Sequence, residues 1–186
     1  NTLTVVGAEL DRANGSVTFN AEVTVELDPA RTIVTKQFSM DPQNTGAVSV
    51  GQKIMAFGDL TGSPGSFLLS STERVRLLST KLNGIVNSAG ARSLALTLQH
   101  IGHRRPAVFD FSGTGPEGSE ADPANYEVDT GDINLAGIGA GTPVRVFGLV
   151  TPFGSAPPDF EARTVVDVSE VGALLAVIWQ LNSEHQ

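Results

Sequence analysis

The residues best suited to chemistry in this sequence are carboxylates. Asp110, Glu117, Glu120, Asp122, Glu127, Asp129 and Asp132 place seven of the 20 acidic residues within 23 positions. Calcium takes about six to eight oxygens, drawn from flexible loops. The run Asp129-Thr130-Gly131-Asp132 offers two carboxylates and a backbone carbonyl, so Asp122, Asp129 and Asp132 are the candidate calcium ligands. Their spacing is not that of an EF-hand loop, and simple solvation of a long loop explains the same residues. A second cluster is Gln99-His100-Ile101-Gly102-His103-Arg104-Arg105-Pro106. Two His three apart would face opposite sides of a regular strand, which works against a zinc site. His103, Arg104 and Arg105 are instead a candidate contact for an anion such as phosphate, sulfate or a sugar carboxylate, through bidentate guanidinium hydrogen bonds. The same arginines would serve equally to pair with the acidic loop that follows.

Other chemistries find no support. The chain has no cysteine, which removes thiolate nucleophiles and thiolate zinc sites. No serine sits in a Gly-x-Ser-x-Gly turn. The glycine-rich runs at 113–115 and 137–141 lack the strand-before, helix-after setting of a dinucleotide site. Apart from calcium, no cofactor is expected, and the expectation is a chain that is not an enzyme. The alternative is a hydrolase acting on a carbohydrate, with carboxylates from distant segments meeting in a cleft between two units.

Positioning of any of these groups falls to strands. Of the 186 residues, 40% are hydrophobic and 17% charged, enough apolar surface for a real core. Apolar and polar residues alternate through Thr2-Leu3-Thr4-Val5-Val6, Ser16-Val17-Thr18-Phe19-Asn20 and Glu22-Val23-Thr24-Val25-Glu26-Leu27. That period of two is the mark of half-buried strands. Asn14-Gly15 supplies a hairpin turn and Asp28-Pro29 ends a strand. Further strands are expected over 32–38 and 53–57, the latter closing on Gly58. The run 171–179 is the longest apolar stretch and reads as a buried strand. At nine residues it is far short of the roughly 20 that a membrane-spanning helix needs, so no transmembrane segment is expected. The formal net charge of -8 works against nucleic-acid binding, which relies on Lys and Arg neutralising phosphates.

The sequence also resembles itself. Gly51-Gln52-Lys53-Ile54-Met55-Ala56-Phe57-Gly58-Asp59-Leu60-Thr61 aligns without gaps on Gly141-Thr142-Pro143-Val144-Arg145-Val146-Phe147-Gly148-Leu149-Val150-Thr151, with both glycines, the phenylalanine and the threonine identical. Thr2 to Phe19 matches Ser79 to Leu96 more loosely, Gly7 falling on Gly84. The two offsets differ by 13 residues (90 against 77), and the excess falls in the insertion-like stretch 112–125. Phe57 and Phe147 are expected to plug barrel interiors, while Gly58 and Gly148 let a strand turn a sharp corner.

With its Val50–Gly58 and Gly141–Gly148 motifs and the run Val150-Thr151-Pro152-Phe153-Gly154-Ser155-Ala156-Pro157-Pro158-Asp159-Phe160, the chain resembles the small OB-like β-barrel repeats of bacterial envelope proteins and lipoproteins. The resemblance implies an all-β fold of two tandem OB-like barrels with little or no helix. Residues 1–78 would form the first, 79–170 the second with its acidic loop, and 171–186 a C-terminal strand or the start of a third repeat. It further implies an extracytoplasmic structural or ligand-binding module, whose partners would be a polysaccharide or another envelope protein. Phe160 is expected to be buried under the proline-rich loop.

Overall fold

A computed structural model describes residues 1–39 and 41–171, so the strand expected over 171–179 lies, from residue 172 on, outside the described residues. The described chain is all-β, its only helical pieces being two single turns at Thr45–Ala47 and Pro106–Val108. Strands β1 (Thr2–Asp11), β2 (Val17–Glu26), β3 (Ile33–Lys36), β4 (Pro42–Gln43), β5 (Ile54–Thr61) and β6 (Phe67–Leu77) make one six-stranded sheet. Strands β7 (Thr80–Ala89), β8 (Ser93–Ile101), β9 (Tyr126–Asp129), β10 (Pro143–Val150) and β11 (Phe160–Asp167) make a closed barrel.

Alternation decides the faces. In β7 and β10, Leu82, Val86, Val144 and Val146 point inward and are at most 1% exposed. Burying each such side chain stabilises the fold by about 1.5–3 kcal/mol. Leu94, Leu96, Val128, Tyr126 and Phe160 complete that interior. The first sheet encloses Val23, Val25, Val34, Phe67, Val75 and Leu77, and β10 contributes Leu149 to this second core.

The two assemblies share a wiring plan. Each begins with an antiparallel hairpin, β1·β2 and β7·β8. In each the third strand runs parallel to the last, Val34 beside Val75 and Val128 beside Phe160. The penultimate strand lies antiparallel to the last in both, β5 on β6 and β10 on β11. The ladders then diverge: β10 closes the barrel on β7, with Val146 opposite Leu82, whereas among the described residues β5 pairs with β6 alone. Strand β8 pairs with β9, where β2 instead runs parallel to β6, and β3 carries the extra strand β4. Among the described residues the first sheet therefore stays open between β1 and β5. Its inward residues Leu3, Val5, Leu10, Ile54, Ala56 and Leu60 are only partly buried as a result.

Gly58 and Gly148 both sit at a break in register. A Cβ at Gly58 would come within 2.4 Å of the Ser70 carbonyl oxygen, and one at Gly148 within 2.0 Å of that of Glu161. Backbone approach of this closeness admits only glycine. The strand of Gly58 runs on through it to Thr61 rather than closing there. The aromatic plugs are a correction to expectation: Phe57 is 52% exposed and Phe147 only half-buried. Both lie on the outward parity of their strands, between inward Ala56 or Val146 and the glycine. The true plugs are Phe160 and Tyr126, each 0% exposed.

Candidate functional site

Local turns engage the carboxylates of the acidic stretch. Asp122 Oδ1 accepts the Ala124 amide at 2.8 Å and Asp129 Oδ1 the Gly131 amide at 2.9 Å. Asp132 takes Arg92 in an ion pair at 2.8 Å, with both side chains mostly in water. Among the described residues no group of three or more His, Asp or Glu side chains is placed to hold a metal ion. Asp110 accepts both the hydroxyl and the amide of Ser112, which hold its carboxyl below the usual range. The insertion itself covers one end of the barrel. Thr114 and Ala121 are buried there, Ala156 donates its amide to the Thr114 carbonyl, and Leu98 donates to that of Pro123.

The basic cluster divides. His103 and Arg105 are exposed, while Arg104 reaches out of the barrel to donate to Asn20 Oδ1 and lies against Gly7 of β1. Arg104 thus ties the barrel to the first sheet.

Sequence reasoning missed a polar groove on the outward face of the first sheet, with a volume of about 1250 Å3. Its wall is the loop between β2 and β3, stiffened by Asp28. That residue's carboxylate accepts the Ala30 amide at 2.9 Å and its carbonyl the Arg31 and Thr32 amides. Its floor is β6, which bends at Ser71 with a positive φ of 49°. Glu26, Asp28, Asp59 and Glu73 bring carboxylates to the groove, Arg31 and Arg74 guanidiniums, and Phe57 and Ile33 apolar surface about half exposed. Thr72, 4% exposed, packs into the floor, its hydroxyl buried and without a hydrogen-bond partner. Nothing in the local sequence around Ser71 signals this bend.

A second, sealed site centres on Asp159. Only 3% of this residue is exposed. Its Oδ2 accepts the Glu127 amide at 2.7 Å, and its own amide donates to the Glu127 carbonyl at 2.7 Å. Oδ1 has no partner, nor has the Thr151 hydroxyl, and both residues line one small cavity with Tyr126 and Thr114. Room for the centre of a water-sized molecule there is about 10 Å3, the scale of a single water. Burial pushes the Asp159 carboxyl up to about 6; the Glu127 amide opposes this, and the charges of Glu127 and Asp122 add to it. Burial also raises the Tyr126 phenol, helped by the Asp159 charge.

A carboxylate closed off in a one-water cavity has no substrate access, whereas the groove is open and offers hydrogen-bonding groups of both signs beside an aromatic face. Comparison with protein families, with curated proteins and with solved structures found no match to this chain. The described residues contain no helix long and apolar enough to cross a membrane.

Proposed function

We propose that this chain is a non-catalytic saccharide-binding module, made of two tandem OB-like units copied from one ancestor and belonging to an extracytoplasmic bacterial protein. The observation that carries the binding role is the groove: Phe57 and Ile33 stand exposed among Glu26, Asp28, Glu73, Arg31 and Arg74. Sugars present apolar C–H faces for a ring to cover and hydroxyls that both donate and accept, which carboxylates and guanidiniums satisfy in fixed directions. Polar groups placed sparsely beside apolar surface are the usual composition of a small-molecule site. The duplication is supported by the shared wiring of β1–β6 and β7–β11 and by the glycines at matching breaks in register.

Binding of soluble polysaccharides to the full chain, followed by calorimetry, tests the reading. Phe57→Ala and Glu73→Ala are each expected to weaken binding about tenfold or more. Failure of any neutral or charged polysaccharide to bind overturns it. Release of reducing ends during the titration would make the chain a hydrolase instead.

A further inference from the structure

We propose that β5 is a dimerisation edge, along which two copies of this chain join antiparallel about a two-fold axis with Ala56 of one copy opposite Ala56 of the second. This goes beyond the saccharide reading and does not depend on it.

Among the described residues both β1 and β5 are free edges, and the ladder of each carries a break in register, that of β5 with β6 falling once, at Gly58. Natural proteins protect free edges with bulges, charges or proline. The β1 edge has two breaks in its register with β2, between Val6 and Ala8 and between Ala8 and Leu10, and carries Glu9 and Asp11. Strand β5 reads Ile54-Met55-Ala56-Phe57-Gly58-Asp59-Leu60-Thr61 and is apolar on both faces over its first half. Ile54 and Ala56 face the incompletely covered core, while Met55 and Phe57 stand 47% and 52% exposed on the other face.

Hydrogen bonding fixes which groups point outward from the edge. The Lys53 carbonyl accepts the Leu78 amide and the Lys53 amide donates to Thr80 Oγ1 at 2.8 Å, so Lys53 is turned toward the β6 side. By alternation along an antiparallel strand, Ile54 and Ala56 then direct their N–H and C=O toward the open side. A two-fold through Ala56 lets the two Ala56 residues exchange both backbone bonds.

In that register Met55 lies opposite Phe57 of the second copy, twice over by symmetry, and Ile54 opposite Gly58. One step further, Lys53 lies opposite Asp59 of the second copy, again twice. The one ion pair among the described residues is Arg92 with Asp132, so neither Lys53 nor Asp59 has an ionic partner there. A single register thus pairs apolar with apolar and cation with anion, the self-complementarity that a two-fold interface requires. Lys53 and Asp59 of one copy sit six residues apart on a strand, roughly 20 Å, so they do not satisfy each other.

Sedimentation of the full chain without saccharide, from micromolar to millimolar concentration, is the test. A monomer–dimer equilibrium with no larger species is expected, because a two-fold interface closes on itself. Lys53→Glu and Asp59→Lys should each raise the dimer Kd about tenfold, since each creates two like-charge oppositions. The double variant K53E/D59K should return Kd to within about threefold of the parent, because the pairs re-form with signs exchanged. Carbodiimide treatment of the parent dimer should also yield a Lys53–Asp59 amide between copies, a readout that needs no variant to fold. A chain that is monomeric throughout, a Kd indifferent to these charges, a double variant no better than the singles, or a dimer without that cross-link would overturn the assignment.

Discussion

The side-chain carbonyl of Gln52 accepts the backbone amide of Val150 at 2.9 Å, across 98 residues of sequence. The same side chain donates to the Leu78 carbonyl at 2.6 Å and to Thr80 Oγ1 at 3.1 Å. Gln52 therefore joins the first sheet, the link between the two assemblies and the last barrel-closing strand. Leu149 adds to this joint by leaving the barrel interior for the core of the first sheet, and Arg163 lies over the Phe38 ring at 5.9 Å.

Gln52→Ala should accordingly cost about 1–3 kcal/mol, because it leaves the amide of buried Val150 without an acceptor. Urea unfolding checks this through a lowered midpoint, and exchange of the Val150 amide should accelerate specifically. An unchanged midpoint would mean that Gln52 contributes nothing to holding the two assemblies together.

Asp159 gives the fold a pH dependence of unusual sign. A carboxyl at about 6 in the folded chain, against roughly 3.9 unfolded, binds its proton more tightly when folded. Its contribution is fullest below about pH 4 and is lost as pH rises through 6. The penalty at neutral pH is at most about 3 kcal/mol. Asp159→Asn keeps an oxygen for the Glu127 amide and removes the charge. At pH 7.5 the variant should be the more stable by up to about 3 kcal/mol, with the advantage vanishing near pH 4. Melting of both proteins between pH 4 and 8 reads the difference directly, and parallel curves would show that burial does not raise the carboxyl.

Strands were legible because period-two alternation is a local property, as in Thr2-Leu3-Thr4-Val5 and Glu22-Val23-Thr24-Val25. So was the requirement for glycine at 58 and 148, which the repeated Phe-Gly pair announced. The direction of the phenylalanines was not. Parity within a strand does not say which face a sheet closes over, and the inward set turned out to contain Ala56 and Val146. The groove depends on the bend at Ser71 and on where the β2–β3 loop lands, and the Thr32 hydroxyl fixes that loop to the Thr72 carbonyl from 40 residues away. Asp159 is buried only because β9 and β11 run side by side, which brings Glu127 to it from 32 residues away. Such long-range pairings leave no trace in local composition.

The reassigned aromatic plugs have measurable consequences. Phe160→Ala should cost about 3–5 kcal/mol, since it empties a fully enclosed site in the barrel. Phe57→Ala, on an exposed face, should change stability by no more than about 0.5 kcal/mol. Gly148→Ala should cost about 3 kcal/mol or more, because its methyl meets the Glu161 carbonyl and the Phe160 ring together. Denaturant unfolding of the three variants side by side gives the order, and equal losses for Phe57 and Phe160 would contradict the burial that separates them.

Calcium offers the last contrast. A ligand that binds only the folded state must raise stability in proportion to its occupancy. The carboxylates of Asp122, Asp129 and Asp132 are exposed, and each already serves a local turn or the pair with Arg92. Gathering them around one cation would break those bonds, reordering two turns and parting an ion pair, and the cation would have to supply that free energy before any stabilisation appeared. The melting midpoint is therefore expected to stay constant between chelator and millimolar calcium, while Asp132→Asn should lower the unfolding free energy by less than about 1 kcal/mol through loss of the exposed Arg92 pair. A midpoint that climbs with calcium and loses that response in Asp132→Asn would establish a site that the folded loop assembles only around the ion.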